Sequence, residues 1–337
     1  MLSFQRRLDI YNICSQFDLI LIEDDPYWNL YYPSSGTKEC GAYNDNMSPD
    51  DPHHNYSTQS LGGQSTGFQF LDELIPSFLS IDTDGRVIRL DSFSKTIAPG
   101  CRLGWITAQP SVCEQLFRIT DGTTQQPSGF TQAIVAQLIG EFGNINLTNG
   151  AAAETSPGWG LAGWVRWLEC LRSTYERRMI KMATVFSENR FVDSETGQTE
   201  MFNFNWPKGG MFIWVQISIS SHPLFSSIDP KRLIFALWIL CTQHPYRVLI
   251  SPGGDFAADE TIKEERGYLF LRFCFAAVEE ELLEVKSLSF IEACRKFWTI
   301  SEAKDIDLIL LEEDASSATK QPFASAAELD REIMESW

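Results

Sequence analysis

Lys95 lies in a stretch whose side chains could handle an aldehyde and a phosphate: Asp91-Ser92-Phe93-Ser94-Lys95-Thr96-Ile97-Ala98-Pro99-Gly100-Cys101-Arg102-Leu103-Gly104-Trp105. A lysine amine can form a Schiff base with an aldehyde, which the always-charged guanidinium of arginine cannot. The hydroxyls of Ser92 and Ser94 can hydrogen-bond a phosphate ester. Arg102, seven positions after Lys95, offers a rigid fork to two phosphate oxygens. Two plainer readings compete. One is an ordinary surface lysine in a serine-rich turn. The other is a serine-nucleophile acyl enzyme, because Ser92 and Lys95 also fit a Ser-x-x-Lys spacing. The whole stretch, set between two apolar runs, is more specific than either short pattern.

Two further groups stand out. Glu23-Asp24-Asp25-Pro26-Tyr27 directly follows an apolar run, and in open α/β sheets ligands sit outside the carboxyl ends of the strands. Taken alone, such a cluster reads as a turn. Arg272 is the one charge in Leu269-Phe270-Leu271-Arg272-Phe273-Cys274-Phe275-Ala276. A charge in an otherwise apolar strand needs a partner, and a structural salt bridge or an outward-facing position would account for it equally.

These residues require elements to hold them. Phe4 to Phe17 reads as a helix. The unbroken apolar run Leu19-Ile20-Leu21-Ile22 predicts a strand buried on both faces, as in a parallel sheet, and Val87 to Leu90 and Leu103 to Thr107 predict two more. Helices are predicted at Ser111 to Ile119 and around Phe130 to Phe142. Alternating strands and helices imply an α/β domain. A long helical pattern follows at Trp164 to Phe191. Met201 to Trp206, Met211 to Gln216, Val248 to Ser251 and Tyr268 to Phe275 read as strands, with a helix near Pro230 to Gln243, which makes an α+β domain. Ser34 to Gly67 reads as a polar inserted loop and Gly143 to Gly160 as a second break. The predicted division is 1–160 for a large domain with its insertion at 34–67, 161–300 for the connecting helix and a small domain, and 301–337 for an acidic tail without fold. Three strands are fewer neighbours than buried apolar strands need, so the chain reads as starting in the middle of a domain.

The bulk composition narrows the partners. The chain has 337 residues, 44% of them apolar, with 10 Trp and 23 Phe, enough for more than one buried core. A net charge of −18 repels phosphate backbones and anionic headgroups, so neither nucleic acid nor membrane is expected as a partner. Eight Cys without a Cys-x-x-Cys pair and four His give no metal pattern. With no leader or membrane-spanning run in the sequence, the expected compartment is the cytosol.

The Lys95 stretch, with Asp24, Tyr27 and Arg272, resembles class I/II aminotransferases, which have the type I fold of pyridoxal-phosphate (PLP) enzymes. The resemblance runs from about Arg6 to Trp298. Supporting stretches are Gln125-Gln126-Pro127-Ser128-Gly129, Trp206 to Trp214, Ser251-Pro252-Gly253, and Gly163-Trp164-Val165-Arg166-Trp167-Leu168-Glu169. The last points to the fungal aromatic-amino-acid, 2-aminoadipate and kynurenine aminotransferase branch. The resemblance implies an α/β fold with a partial parallel-sheet large domain and a small α+β C-terminal domain. It implies PLP on Lys95, a phosphate held by Ser92, Ser94 and Arg102, the ring nitrogen on Asp24 and the ring hydroxyl on Tyr27, with Asp25 the competing carboxylate. It also implies Arg272 as the clamp for the substrate carboxylate, with an aromatic L-amino acid and a 2-oxo acid such as 2-oxoglutarate as substrates, in a homodimer. A lyase or decarboxylase on the same lysine is the alternative reaction, and a non-catalytic homologue the alternative class. The family's phosphate-gripping loop, ring-stacking aromatic and Asn-Pro motif would precede Arg6. The chain therefore reads as a truncated gene model, a fragment or a degenerate homologue.

Overall fold

The computed structural model describes residues 2–32, 65–140, 158–194 and 197–319. The polar insertion read at 34–67 lies almost wholly outside these residues, as does most of the Gly143 to Gly160 break. The chain divides into two compact units, Met1–Arg177 with Trp206–Gly210, and Arg178–Asn205 with Met211–Trp337.

In the first unit, helix α1 (Phe4–Gln16) starts where Ser3 Oγ accepts the Arg6 N–H. Phe4, Arg7 and Tyr11 recur at helical spacing and form its buried face. Strand β1 (Leu21–Asp24) pairs in parallel with β2 (Val87–Ser92), Leu21 opposite Val87 and Asp24 opposite Leu90. Strand β3 (Gly104–Thr107) pairs antiparallel with β2, Gly104 opposite Ser92. The sheet is thus mixed rather than parallel throughout. An apolar run encodes burial and not direction, and the short link from β2 to β3 returns the chain on itself. Tyr11, Leu21, Phe78 and Val87 form one core cluster. Helices α2 (Pro110–Gly122) and α3 (Gly129–Ile139) follow.

The expectation that β1 is buried on both faces is corrected. Leu21 and Glu23 face inward, whereas Ile20 and Ile22 are 62% and 64% exposed, and β3 is exposed along its whole length. The run is apolar on both faces, but among the described residues one face is covered.

Helix α4 (Gly160–Asn189) is longer than its pattern suggested, and the division between the units falls inside it at Arg177, not before it. In the second unit, β4 (Phe191–Ser194) and β5 (Gly197–Glu200) form a hairpin that the sequence reading did not separate from its neighbours. Strands β6 (Phe202–Phe204), β7 (Phe212–Ile217), β8 (Ser251–Pro252) and β9 (Phe270–Cys274) form an antiparallel sheet in the order β6-β7-β9-β8. Val248 and Ile250, read as strand, are buried but lie outside it, because their segment pairs with no neighbouring strand. Helices α5 (Pro230–Thr242), α6 (Glu260–Glu265) and α7 (Leu282–Trp298) complete the unit around a core built on Phe186, Phe202, Phe273 and Phe290. Phe186 meets Phe202 and Phe273 nearly edge to face, at 5.8 and 5.0 Å between centroids. The tail assigned no fold carries a helix, α8 (Ala303–Thr319), with Ile306 fully buried.

Candidate active site

Asp24 and Ser92 end β1 and β2 at the same, carboxyl, edge of the parallel pair. Beyond Ser92 the chain turns through a short 3-10 segment, Phe93–Lys95. The Ser92 Oγ accepts the Ser94 N–H at 3.0 Å, which leaves the hydroxyl proton of Ser92 available to another acceptor. The Phe93 carbonyl accepts from the N–H groups of Thr96, Ile97 and Ala98, and the Phe93 N–H donates to Leu103 O at 3.0 Å. The segment is therefore a closed loop with Ser92, Ser94, Lys95 and Arg102 all on it. Trp167 clasps it from α4, donating its indole N–H to Thr96 O at 2.6 Å.

Arg102 holds a left-handed backbone, φ 45°, and is exposed. Two positions on, Gly104 starts β3 with so little room that a Cβ there would lie 2.6 Å from Asp91 O. Tyr27 opens the turn after β1, and the Lys95 Nζ lies 5.7 Å from the centre of its ring. The loop Trp206–Gly210 docks on the same segment: Gly210 N–H donates to Leu30 O, Tyr32 N–H to Lys208 O, and the Tyr32 hydroxyl to Gly210 O. Gly210 sits at φ 84°, and its Cβ position lies 4.0 Å from Tyr27 Cγ.

The charges sort into two sets. Asp24, Lys95 and Arg102 make no ion pair or hydrogen bond with another described side chain of opposite charge. Asp25, the rival carboxylate, is engaged instead: Arg7 Nη2 reaches it at 3.3 Å and donates to the Tyr31 hydroxyl at 2.7 Å. Arg7 also pairs with buried Glu23 at 2.9 Å, and Glu23 lies 3.2 Å from Arg89, which chelates Asp91 with two bonds of 2.9 Å. Burial raises the Asp25 pKa above the usual carboxylate range despite the neighbouring Arg7, and pushes the Tyr31 phenol up to about 12. Sequence reasoning missed this buried network. Its signal was Arg89 in the middle of an apolar strand.

The structure thus brings Tyr27 and Lys95 together, sets Ser92, Ser94 and Arg102 on the Lys95 loop, and puts Asp24 at the same sheet edge. Arg272 belongs to the second unit, on β9. There its guanidinium carbon lies 4.2 Å from the centre of the Phe212 ring and 3.8 Å from that of Phe256, with Ser251 Oγ at 3.5 Å.

No protein-family model matches the chain. An L-tyrosine:2-oxoglutarate aminotransferase of Serpula lacrymans is 36% identical over 275 residues, which is 79% of this chain and 45% of that protein. Aromatic amino acid aminotransferase 2 of Saccharomyces cerevisiae is 34% identical over 283 residues, 83% of this chain and 50% of the relative. The crystal structure of the aminotransferase Aro8 from Candida albicans superposes with a TM-score of 0.63 at 28% identity, covering 89% of this chain and 55% of that one. The chain spans about half the length of the curated relatives it matches. The fold is that of a type I aminotransferase. More narrowly, the chain belongs to the family that includes the fungal aromatic amino acid aminotransferases.

Proposed function

We propose that this chain carries the cofactor-bonding and carboxylate-binding residues of a PLP-dependent aminotransferase that moves the amino group of an aromatic L-amino acid to a 2-oxo acid such as 2-oxoglutarate. One observation carries the reading. Lys95 stands beside Tyr27 on a loop whose Arg102 has no described carboxylate partner, at the strand edge that ends in the unpaired Asp24. This set fits PLP in its charges: Asp24 suits the ring nitrogen, Lys95 the aldehyde and Arg102 the phosphate, and none of the three has an oppositely charged partner among the described residues.

When bound, PLP supplies an aldehyde carbon and an electron-withdrawing ring. Lys95 Nζ would be the amine that bonds the aldehyde carbon and, when released, would take the Cα proton of the amino acid as base and give it back as acid. Asp24 would keep a proton on the ring nitrogen, and the Tyr27 hydroxyl would donate to the ring oxygen. The Ser92 and Ser94 hydroxyls and the Arg102 guanidinium would hold the phosphate, two as neutral donors and one as a planar fork. Arg272 binds the α-carboxylate of the substrate. The named activities of the relatives support both the aromatic substrate and the 2-oxoglutarate acceptor. A homodimer is part of the same reading, and sedimentation tests it.

The test is direct. Mixing the protein with PLP gives a visible absorption band, and borohydride reduction leaves a pyridoxyl group on the peptide containing Lys95. Lys95→Ala abolishes both. A folded sample with neither band nor adduct sinks the reading. Glutamate formed from L-tyrosine and 2-oxoglutarate tests the substrate pair.

A further inference from the structure

Arg272 is held differently from the buried Arg7 and Arg89. Arg7 and Arg89 are each fixed by carboxylates, at 2.9 Å from Glu23 and from Asp91 respectively. No described carboxylate pairs with Arg272, and its hydrogen bond to Ser251 is long at 3.5 Å. Aromatic rings take the place of the carboxylate. Alternation along β7 puts Ile213, Val215 and Ile217 in the core and leaves Phe212 and Trp214 on the other face. Along β9, Phe270 and Arg272 share that face, while Leu271 and Phe273 are buried. In the sheet register Trp214 and Ser251 lie opposite Arg272 on its two sides. Phe256, on the turn after β8, brings its ring to 3.8 Å from the guanidinium carbon, and Phe212 brings its own to 4.2 Å. Trp214 meets Phe256 edge to face at 5.4 Å and 86°, which fixes the outer ring.

A cation that must take up and release a carboxylate has three needs. It must be ordered, partly dehydrated and not yet neutralised. A carboxylate partner meets the first and defeats the third, because it occupies the N–H fork that the ligand must use. A ring face attracts the cation through its quadrupole and takes no in-plane N–H. It also removes water from the flat side of the guanidinium, so a charge arriving at the edge is attracted more strongly.

We propose that Phe212 and Phe256 are positioning residues for Arg272. They fix the plane of the guanidinium and keep its N–H edge free for the substrate carboxylate. The proposal rests on the reading of Arg272 as the carboxylate clamp and adds what makes the clamp selective for an anion.

The experiment uses the full chain and two probes of one shape, 3-phenylpropionate and 3-phenylpropionamide, with binding followed by calorimetry. The wild-type chain prefers the acid. Phe256→Leu keeps apolar bulk but removes the ring face, and it weakens the acid about tenfold while leaving the amide unchanged. Phe212→Leu does the same, and Phe256→Tyr, which keeps the π face, restores wild-type affinity for the acid. Phe256 is 44% exposed, so its replacement leaves the core intact. Unchanged acid binding in both leucine variants overturns the proposal, and so does equal loss of acid and amide. A different outcome, Arg272→Ala binding the acid as well as wild type does, overturns the carboxylate reading of Arg272 itself.

Discussion

Glu23→Gln removes one negative charge from between two buried guanidinium groups. In the native chain the Glu23 carboxylate accepts from Arg7 at 2.9 Å, lies 3.2 Å from Arg89, and takes the backbone N–H groups of Phe78 and Leu79 at 2.9 and 3.2 Å. Both members of the Arg7–Glu23 pair have side chains 4% exposed. An amide of the same shape offers one oxygen to four donors and turns its NH2 toward one of them. Arg89 keeps Asp91, but Arg7 keeps the neutral Tyr31 hydroxyl and a single carboxylate, Asp25, whose ionisation burial already disfavours. Breaking a buried pair by removing one partner costs about 3–5 kcal/mol. Gln retains part of the hydrogen bonding, so the lower end applies, roughly 3 kcal/mol or about a hundredfold in the folding equilibrium. Urea unfolding read by tryptophan fluorescence measures it as a lower midpoint at constant slope. A loss under about 0.5 kcal/mol, the range of an ordinary surface substitution, would refute the argument.

Two further outcomes are expected. His222 is buried, its Nδ1 accepting the Leu224 N–H at 3.1 Å and its Nε2 3.0 Å from Phe297 O, so the native ring is neutral with its proton on Nε2. Burial lowers its pKa below the usual 6.5, so the unfolded chain takes the proton first. Stability is then complete above pH 6.5 and falls as the pH drops below it, by up to about 1.4 kcal/mol per pH unit. His222→Gln should flatten that part of the curve in unfolding measured from pH 7.5 to 5, and an equal slope in both proteins would count against it. Gly104→Ala sets a Cβ 2.6 Å from Asp91 O and forces β3 away from β2. The expected cost is about 1–3 kcal/mol in thermal unfolding, and an unchanged midpoint would contradict the close approach.

Much of the candidate site was legible because its residues are local in sequence. The serines, Lys95 and Arg102 share one loop, and their spacing carries the pattern without reference to the fold. Asp24 and Tyr27 stood out only beside the Lys95 stretch, because an acidic turn after a strand is by itself a common turn. Spacing alone separated Asp24 from Asp25, and it did not contain the fact that Asp25 pairs with Arg7. The network behind it was hidden because its members lie far apart in the chain, on α1, β1 and β2. The direction of β3 was hidden because Gly104 to Thr107 is equally apolar read either way. The aromatic flanks of Arg272 were half visible, since Phe212 and Trp214 stand at alternate positions of a predicted strand. That Phe256 joins them depends on a turn whose path only the fold sets.

The sheet face of the first unit that no described residue covers has a consequence for the behaviour of the chain as a solute. Ile22 and Ile106 lie exposed on one side of the sheet with Ile20 just before it, and Phe117 and Phe130 are exposed on α2 and α3. Apolar surface of this kind draws molecules together, while a net charge of −18 drives them apart. The two effects differ in their dependence on salt. Charge repulsion reaches about 30 Å at 0.01 M ionic strength and about 3 Å at 1 M, whereas contact between apolar faces is strengthened by salts such as sulfate. Dispersal of this chain is therefore an ionic-strength property: dilute buffer keeps the molecules apart, and concentrated sulfate brings these faces together.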